Sequence, residues 1–447
     1  MNLNAAAKDV STEAITRNLL WMAWSGAVSI ANSLLVWIFM ARMRDVEELG
    51  RFTIVMALYA LFYSVCSLGL IPYLVSEISR RNSAGEKIAE TIPGFIGSAS
   101  VFLLFSGIFC AGLMAAGGFW ASESWSVRVS ALILSLAMIP TGLIAVAEAS
   151  AIAFGRTRLI AFVSTLENVL RTIIPLGLIW FGFDISAVCV SFVAVRVMAL
   201  AVYFFAGGKH LAGFNFNAAD FRRIFKVAPT FAGTIILASI NWQAVILMLG
   251  HFSTEIESAK YGVASRFLVP VSILMASYAS VIQPVIAQYA QKSAAKYGSY
   301  LCRMASYPLI LSTLAAILSP FLSRRILSVF FGASFTDVAP TLDILALSVV
   351  PFCLVMVAAR GLVASNAQHI DLLANALGVA ACFAAGLLLI PQYGAKGAAL
   401  AQLFSFFLMA VVEIVYLSRK IGGFKVWRTA SVTSACLALV YIILWKY

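Results

Sequence analysis

Eight ionisable side chains interrupt long apolar stretches of the sequence, and these residue types are the ones best suited to chemistry there. An ionised group at the centre of a bilayer costs about 2.5 to 3.5 kcal/mol on insertion scales. Such groups therefore face a bundle interior or a wet cavity, where they bind substrate, bind ions or pair with one another. The eight are Glu148, Glu167, Arg171, Arg196, Arg266, Asp343, Arg360 and Glu413.

Three of the arginines are candidates for binding a phosphate group. Glu167 and Arg171 are four residues apart, so they share a helix face and can pair; a neutral pair between helices and a substrate or coupling role both remain open. Arg196 and Arg266 have no acidic neighbour within one helical turn. A guanidinium in a cavity binds two phosphate oxygens through its planar fork, and the alternative is a carboxylate on another helix. The sequence thus predicts a cationic cavity built from Arg171, Arg196 and Arg266.

The other ionisable residues are candidates for gating or ion coupling. Glu148 and Arg360 occupy equivalent positions 212 residues apart, near the cytoplasmic ends of two predicted helices. They either form a gate across the two halves or extend towards water along their aliphatic stems. Glu167 is a further coupling candidate, and Asp343 and Glu413, close to helix ends, are candidate cation or proton ligands.

The elements that position these residues are membrane-spanning helices. The chain is 62% hydrophobic and 11% charged, with a mean hydropathy of +0.96, whereas globular proteins carry about 25% charged residues. Its apolar runs suit helices of about 20 residues, so we predict an all-α polytopic membrane protein. Thirteen spans are predicted, near 18–41, 52–76, 94–117, 129–152, 159–181, 184–206, 228–250, 263–289, 303–322, 340–365, 371–390, 397–418 and 429–446.

The first twelve spans form an internal repeat with a constant offset of 212 residues. Gly50 matches Gly262, Pro72 matches Pro284, and the apolar blocks coincide at the same offset. Because six spans per copy is an even number, both copies enter the membrane in the same orientation, as in transporters built from parallel repeats. We predict an N-lobe over 1–212, a C-lobe over 213–424, a central cavity, and an additional helix within 425–447.

Charge distribution predicts the orientation. The net charge is +12, and 18 of the 27 Lys and Arg outside the spans fall on one side when the N-terminus is placed in the cytoplasm. This bias follows the positive-inside rule and explains the positive charge without nucleic acid. The longest internal loop, 207–227, mixes phenylalanines with basic residues and suits a short helix in the headgroup layer.

Enzyme chemistry is not indicated by any motif. The sequence has no P-loop, no HExxH and no GxGxxG in a soluble βαβ unit. Its seven cysteines are scattered without a CxxC pair, and the predicted outer loops are short. We expect no enzyme, no cofactor and no metal site.

Several motifs resemble those of bacterial polysaccharide flippases, the Wzx-type exporters of O-antigen and exopolysaccharide repeat units. They are ARMRD at 41–45, ELGRF at 48–52, SLGL at 67–70, ILSVFFG at 326–332 and LIPQYGAKGAALA at 389–401. This family belongs to the multidrug/oligosaccharidyl-lipid/polysaccharide exporter superfamily. The resemblance runs from about residue 15 to 420.

The resemblance implies a function. The family is taken to move an undecaprenyl-pyrophosphate-linked oligosaccharide from the cytoplasmic to the periplasmic leaflet of the inner membrane, with Arg266 as the best match to its cationic cavity residues. Membrane lipids, a polysaccharide polymerase and chain-length machinery are the implied partners, and we expect a functional monomer. Many relatives carry an Asp near the end of span seven where this chain has Gln243, which argues against ion coupling on that span.

Two other functions compete with this one. An ion-coupled exporter of organic cations from the same superfamily would need an acidic cavity, whereas the four arginines exceed what Glu148 and Glu167 can neutralise, since Asp343 and Glu413 lie nearer the surface. A membrane enzyme such as a repeat-unit polymerase would need a sizeable outer loop.

Overall fold

The computed structural model describes residues 34–83, 91–207, 215–292 and 294–421, and these residues form helices joined by short turns. One short 3-10 helix, Ala333–Val338, precedes α13. The α-helices are α1 Leu34–Met43, α2 Val46–Cys66, α3 Ile71–Ser83, α4 Ile92–Ala121, α5 Trp125–Ser135, α6 Met138–Ala153, α7 Thr157–Trp180, α8 Ile185–Gly207, α9 Ala218–Phe252, α10 Glu255–Ser265, α11 Leu268–Lys292, α12 Ala294–Phe331, α13 Ala339–Ala364 and α14 Gln368–Lys420.

The prediction of an all-α polytopic membrane protein is confirmed. Within the described ranges, ten helical segments are long and apolar enough to cross a membrane. Large apolar side chains project from them into the surroundings, for example Phe109 at 67% exposure and Phe205 at 83%, as lipid-facing residues do. Predicted spans two to twelve all coincide with helices, whereas most of span one and all of span thirteen (429–446) lie outside the described residues.

Span boundaries follow local backbone chemistry. Predicted spans eleven and twelve lie on α14, which is interrupted at Gly394. Gly394 has φ of +52°, a conformation that costs little only without a Cβ, and it follows the helix-breaking Pro391. The sequence therefore reverses the chain at this point and gives α14 two arms.

The prediction for the linker 207–227 falls partly on described residues. Residues 208–214 lie outside them, and residues 218–227 form the start of α9, which continues without a break to Phe252. Phe221 and Phe225 make edge contacts with Phe102 at centroid distances of 5.7 and 6.4 Å, and Phe225 remains 63% exposed. A position of this segment in the headgroup layer stays a prediction.

The helices group into two compact units. The first comprises Met1–Val36, Phe62–Ala116 and Val129–Ala232. Its core includes Leu70, Leu74 and Phe95, each fully buried.

The second unit comprises Trp37–Leu61, Gly117–Arg128 and Gly233–Tyr447. Its most enclosed helix is α13, which is buried along most of its length. Two segments of the predicted N-lobe, residues 37–61 and 117–128, belong to this unit. The division of the sequence into two six-helix repeats at residue 212 stays a prediction.

Candidate functional site

Among the described residues of the first unit, Arg196 is the most buried cation, with 3% exposure. Its Nη1 donates to both carboxylate oxygens of Glu167 at 2.7 and 2.8 Å, and its Nε donates to Thr141 Oγ1 at 3.0 Å. The guanidinium carbon also lies 4.9 Å from the ring centroid of Tyr63. Of the two alternatives that the sequence left open for Arg196, the structure shows the carboxylate on another helix.

Glu167 binds a second guanidinium at the same time. Arg171 Nη2 lies 3.0 Å from Glu167 Oε1, which is the pair that the four-residue spacing predicted, and Arg171 also stacks 5.4 Å from the ring of Phe192. Glu148 lies half-buried on α6 of the same unit. Two cations, Arg171 and Arg196, thus share the carboxylate of Glu167.

Arg266 in the second unit has different surroundings. It lies at the junction between α10 and α11, with its guanidinium carbon 3.9 Å from the ring centroid of Trp37. Its Nε is buried and has no hydrogen-bond partner in the described part of the chain. Among the described residues no carboxylate pairs with it; Trp37 supplies a cation–π contact instead, an attraction that leaves the N–H donors available.

A close helix crossing holds Trp37 and Arg266 in place. A Cβ at Gly50 of α2 would overlap the backbone carbonyl of Glu255 in α10, and a Cβ at Gly262 of α10 would lie 2.6 Å from Thr53 Oγ1. Gly50 and Gly262 are the residues related by the 212-residue offset, and both lie where α2 meets α10. Only a residue without a side chain permits this approach at either position.

An ion-pair cluster beside this crossing was not among the residues that the sequence singled out. Arg51 Nε donates to Glu255 at 2.6 Å, and Lys260 Nζ lies 2.9 Å from Asp337 and 3.1 Å from Glu257. Burial opposes the charged form of Lys260, but its hydrogen bonds to the two carboxylates outweigh this and raise the pKa of the amine. The sequence feature that could have pointed to this cluster is Arg51, which lies in the ELGRF motif at 48–52.

Glu257 also fixes the break in α14. Its Oε2 accepts a hydrogen bond from the backbone N–H of Ala395 at 2.8 Å. That N–H belongs to the first residue after Gly394, where the helix starts again and its amides have no partner in the preceding turn. The carboxylate therefore caps the second arm of α14.

The predicted gating residues Glu148 and Arg360 belong to different units. Arg360 Nη1 donates to Gln283 Oε1 at 3.5 Å, and its buried Nε has no partner among the described residues. Asp343 accepts a hydrogen bond from Ser319 at 2.6 Å. A gate between Glu148 and Arg360 stays a prediction.

Bundled apolar helices with buried cations are the architecture of a membrane transporter or flippase, and the comparison with known families agrees. The model of the polysaccharide biosynthesis protein family matches residues 15–290. The chain therefore belongs to this family, and the resemblance read from its motifs is confirmed. No curated protein sequence matches the chain.

Solved structures with the same fold cover nearly the whole chain. A lipid II flippase MurJ in an inward closed conformation has a TM-score of 0.75 at 15% identity, covering 96% of this chain and 93% of its own. An inward-facing multidrug resistance MATE family transporter of the MOP superfamily has a TM-score of 0.72 at 13% identity, with coverages of 89% and 95%. A MOP superfamily transporter from Pyrococcus furiosus has a TM-score of 0.60 at 13% identity, with coverages of 92% and 96%. At these identities the likeness shows only that the chain has the same fold as these structures.

Proposed function

We propose that this protein flips an undecaprenyl-pyrophosphate-linked oligosaccharide repeat unit from the cytoplasmic to the periplasmic leaflet of the inner membrane by alternating access. Membership of the polysaccharide biosynthesis protein family supports the substrate class. The observation that carries the proposal is Arg266, whose buried guanidinium has an aromatic neighbour and no carboxylate among the described residues. The polysaccharide made from the unit would be a lipopolysaccharide or an exopolysaccharide.

The chemistry of Arg266 suits a diphosphate. An arginine bound to a carboxylate must exchange that partner before it takes a phosphate, whereas a guanidinium held over Trp37 keeps its fork of donors available. The oligosaccharide cannot cross hydrocarbon unaided because each unsatisfied polar group there costs several kcal/mol. We infer that the diphosphate anchors to Arg266 while the polyprenyl chain stays in lipid.

Arg196 and Arg171 of the first unit differ in burial and in their hydrogen bonds. Arg196 is buried, and it donates hydrogen bonds from Nη1 to the Glu167 carboxylate and from Nε to Thr141. Its main role is therefore to hold α6, α7 and α8 together. Arg171 is more accessible, with a side-chain exposure of 13%, and it shares Glu167 with Arg196. A role for Arg171 or Arg196 in binding the diphosphate stays a prediction.

The test is a leaflet assay in cells that lack this gene and are complemented with variants. Losing a hydrogen-bonded charge contact costs about 1.5–3 kcal/mol, so Arg266→Ala should slow delivery of the lipid-linked repeat unit to the outer leaflet by about 10- to 150-fold. Arg266→Lys should recover part of the rate. Arg128→Ala is the matched control, because Arg128 also stacks on an aromatic ring, Phe119, at 5.5 Å.

Two outcomes would contradict the proposal. If Arg266→Ala delivers the lipid-linked unit at the wild-type rate and at the same protein level, Arg266 does not bind the substrate. Unchanged sidedness of the lipid-linked unit in the deletion strain, together with sensitivity to organic cations, would favour the ion-coupled exporter of organic cations.

A further inference from the structure

A cluster of charged side chains lies where α3 ends and α9 begins, within the first unit. Glu77 on α3 is buried, and its carboxylate accepts hydrogen bonds from three arginines. Arg80 and Arg81 belong to α3 itself, whereas Arg223 belongs to α9. Arg81 is also buried, and it donates a second hydrogen bond to Asp220 of α9 at 3.1 Å. The buried members of the cluster thus hold the ends of two helices together.

The two outer arginines of the cluster are neighbours. Arg80 Nη2 and Arg223 Nη1 both donate to the same oxygen, Glu77 Oε1, at 2.7 and 3.2 Å. Their side chains are nevertheless 59% and 53% exposed. A guanidinium has five N–H donors, so each arginine presents further donors at the surface. One phosphate group is large enough to bind both of them, because charged groups that share a single oxygen atom lie side by side.

The carboxylates of the cluster do not balance its cations. Glu77 and Asp220 face three arginines, and Arg222 and Lys226 add two further exposed cations on α9. We call the exposed cations the basic patch, and its members are Arg80, Arg222, Arg223 and Lys226. An excess of positive charge attracts an anion, and the hydrogen bonds to Glu77 fix two of the guanidinium groups before a ligand arrives.

The basic patch lies next to the ends of apolar spans. Arg80 comes four residues after the predicted span 52–76, and Lys226 comes two residues before the predicted span 228–250. Phe225, which precedes Lys226, is exposed. Cationic and exposed aromatic side chains at the ends of spans are typical of the membrane surface. The anions found at that level are the phosphate groups of anionic lipids.

We propose that the basic patch binds the phosphate diester of an anionic phospholipid, with Arg80 and Arg223 as the residues that contact the phosphate. The bound headgroup then joins α3 to α9 in addition to Glu77. A zwitterionic phospholipid has the same phosphate, but the basic patch repels its ammonium group, so the site selects lipids with a net negative charge. The ligand is a lipid of the surrounding membrane, and the proposal does not depend on the flippase function.

The first experiment measures lipid binding by native mass spectrometry. The full-length protein in detergent micelles is titrated with phosphatidylglycerol, and the wild type should bind it in preference to phosphatidylcholine. Arg80→Gln/Arg223→Gln should bind phosphatidylglycerol about 30-fold more weakly, which is the effect of removing two cations from contact with an anionic lipid. Arg324→Gln/Arg325→Gln is the matched control. It removes two adjacent exposed arginines beyond the predicted span 303–322, with the same change in net charge, and should bind as the wild type does.

Both double variants should fold, because the replaced side chains are exposed and Glu77 keeps its hydrogen bond from Arg81. Equal losses of binding in the two double variants would overturn the proposal, since only net charge would then matter. Tighter binding of undecaprenyl pyrophosphate than of phosphatidylglycerol, lost in Arg80→Gln/Arg223→Gln, would also overturn it and would assign the basic patch to the transported lipid.

The second experiment tests whether the bound lipid stabilises the protein. The thermal midpoint is measured in nanodiscs of phosphatidylcholine that contain an increasing fraction of phosphatidylglycerol. A ligand that binds only the folded state stabilises it, so the midpoint should rise for the wild type and stay constant for Arg80→Gln/Arg223→Gln. Arg80→Lys/Arg223→Lys keeps the charge but loses the planar fork, and its midpoint should rise less than that of the wild type. A rise in Arg80→Gln/Arg223→Gln equal to that of the wild type would show that the lipid binds elsewhere.

Discussion

Replacing Glu167 by glutamine should strongly destabilise the first unit. The substitution keeps the size of the side chain but removes the charge that faces two guanidinium groups, at 2.7 Å from Arg196 and 3.0 Å from Arg171. Arg196 is 3% exposed, so it cannot recover hydration without opening the packing of its helices. Removing one partner of a buried ion pair costs about 3–5 kcal/mol, because the remaining charge stays buried and uncompensated.

A double variant tests whether the loss comes from the unpaired charge of Arg196. The double variant Glu167→Gln/Arg196→Gln also removes the more buried of the two cations, and only Arg171 still loses its contact with the Glu167 carboxylate, so it should recover a large part of the loss. Arg171→Gln is the matched control: Glu167 keeps its two contacts with Arg196, and Arg171 is the more exposed cation, so we expect a smaller loss than for Glu167→Gln.

The measurement is reversible unfolding of the purified protein in mixed micelles, titrated with a denaturing detergent. The free energy of unfolding is compared among the wild type, the two single variants and the double variant. If Glu167→Gln unfolds at the wild-type midpoint, Arg196 does not depend on this carboxylate. If the double variant is less stable than Glu167→Gln alone, the loss does not come from an uncompensated cation. Either result would refute the reasoning.

Two further predictions concern contacts between helices. Gly50→Leu forces a side chain into the backbone of α10 and should lower the free energy of unfolding by about 1–3 kcal/mol. Gly112→Leu is the control and should be neutral in the same unfolding assay, because Gly112 has open space around it. Equal effects at the two glycines would rule out the close crossing. Asp220→Asn weakens the pair of hydrogen bonds from Arg81, one of them 3.1 Å long, and should lower the free energy of unfolding by about 1–3 kcal/mol; an unchanged value would show that this ion pair does not stabilise the start of α9.

The helical architecture could be predicted from the sequence because it depends on local properties. A run of about 20 apolar residues must form a helix in lipid, where each backbone N–H and C=O has to be satisfied within its own segment. For this reason the spans around Pro175 and Pro284 lie where hydropathy placed them. The contact between Glu167 and Arg171 was equally predictable, since side chains four residues apart share a helix face.

The partners of the buried charges were not predictable in the same way. Arg196 and Glu167 are 29 residues apart and lie on different helices. Whether such groups meet depends on the rotation of each helix about its own axis, which hydropathy does not specify.

The sequence by itself thus determined where the chain forms helices and which residues are charged within them. Only the tertiary structure decided that Arg196 has a carboxylate partner and that Arg266 lies on Trp37. The physical reason is that secondary structure in lipid follows from hydrogen bonds and apolar character along one segment. The partner of a buried charge, in contrast, is selected by helix packing, in which residues distant in sequence come within a few ångströms.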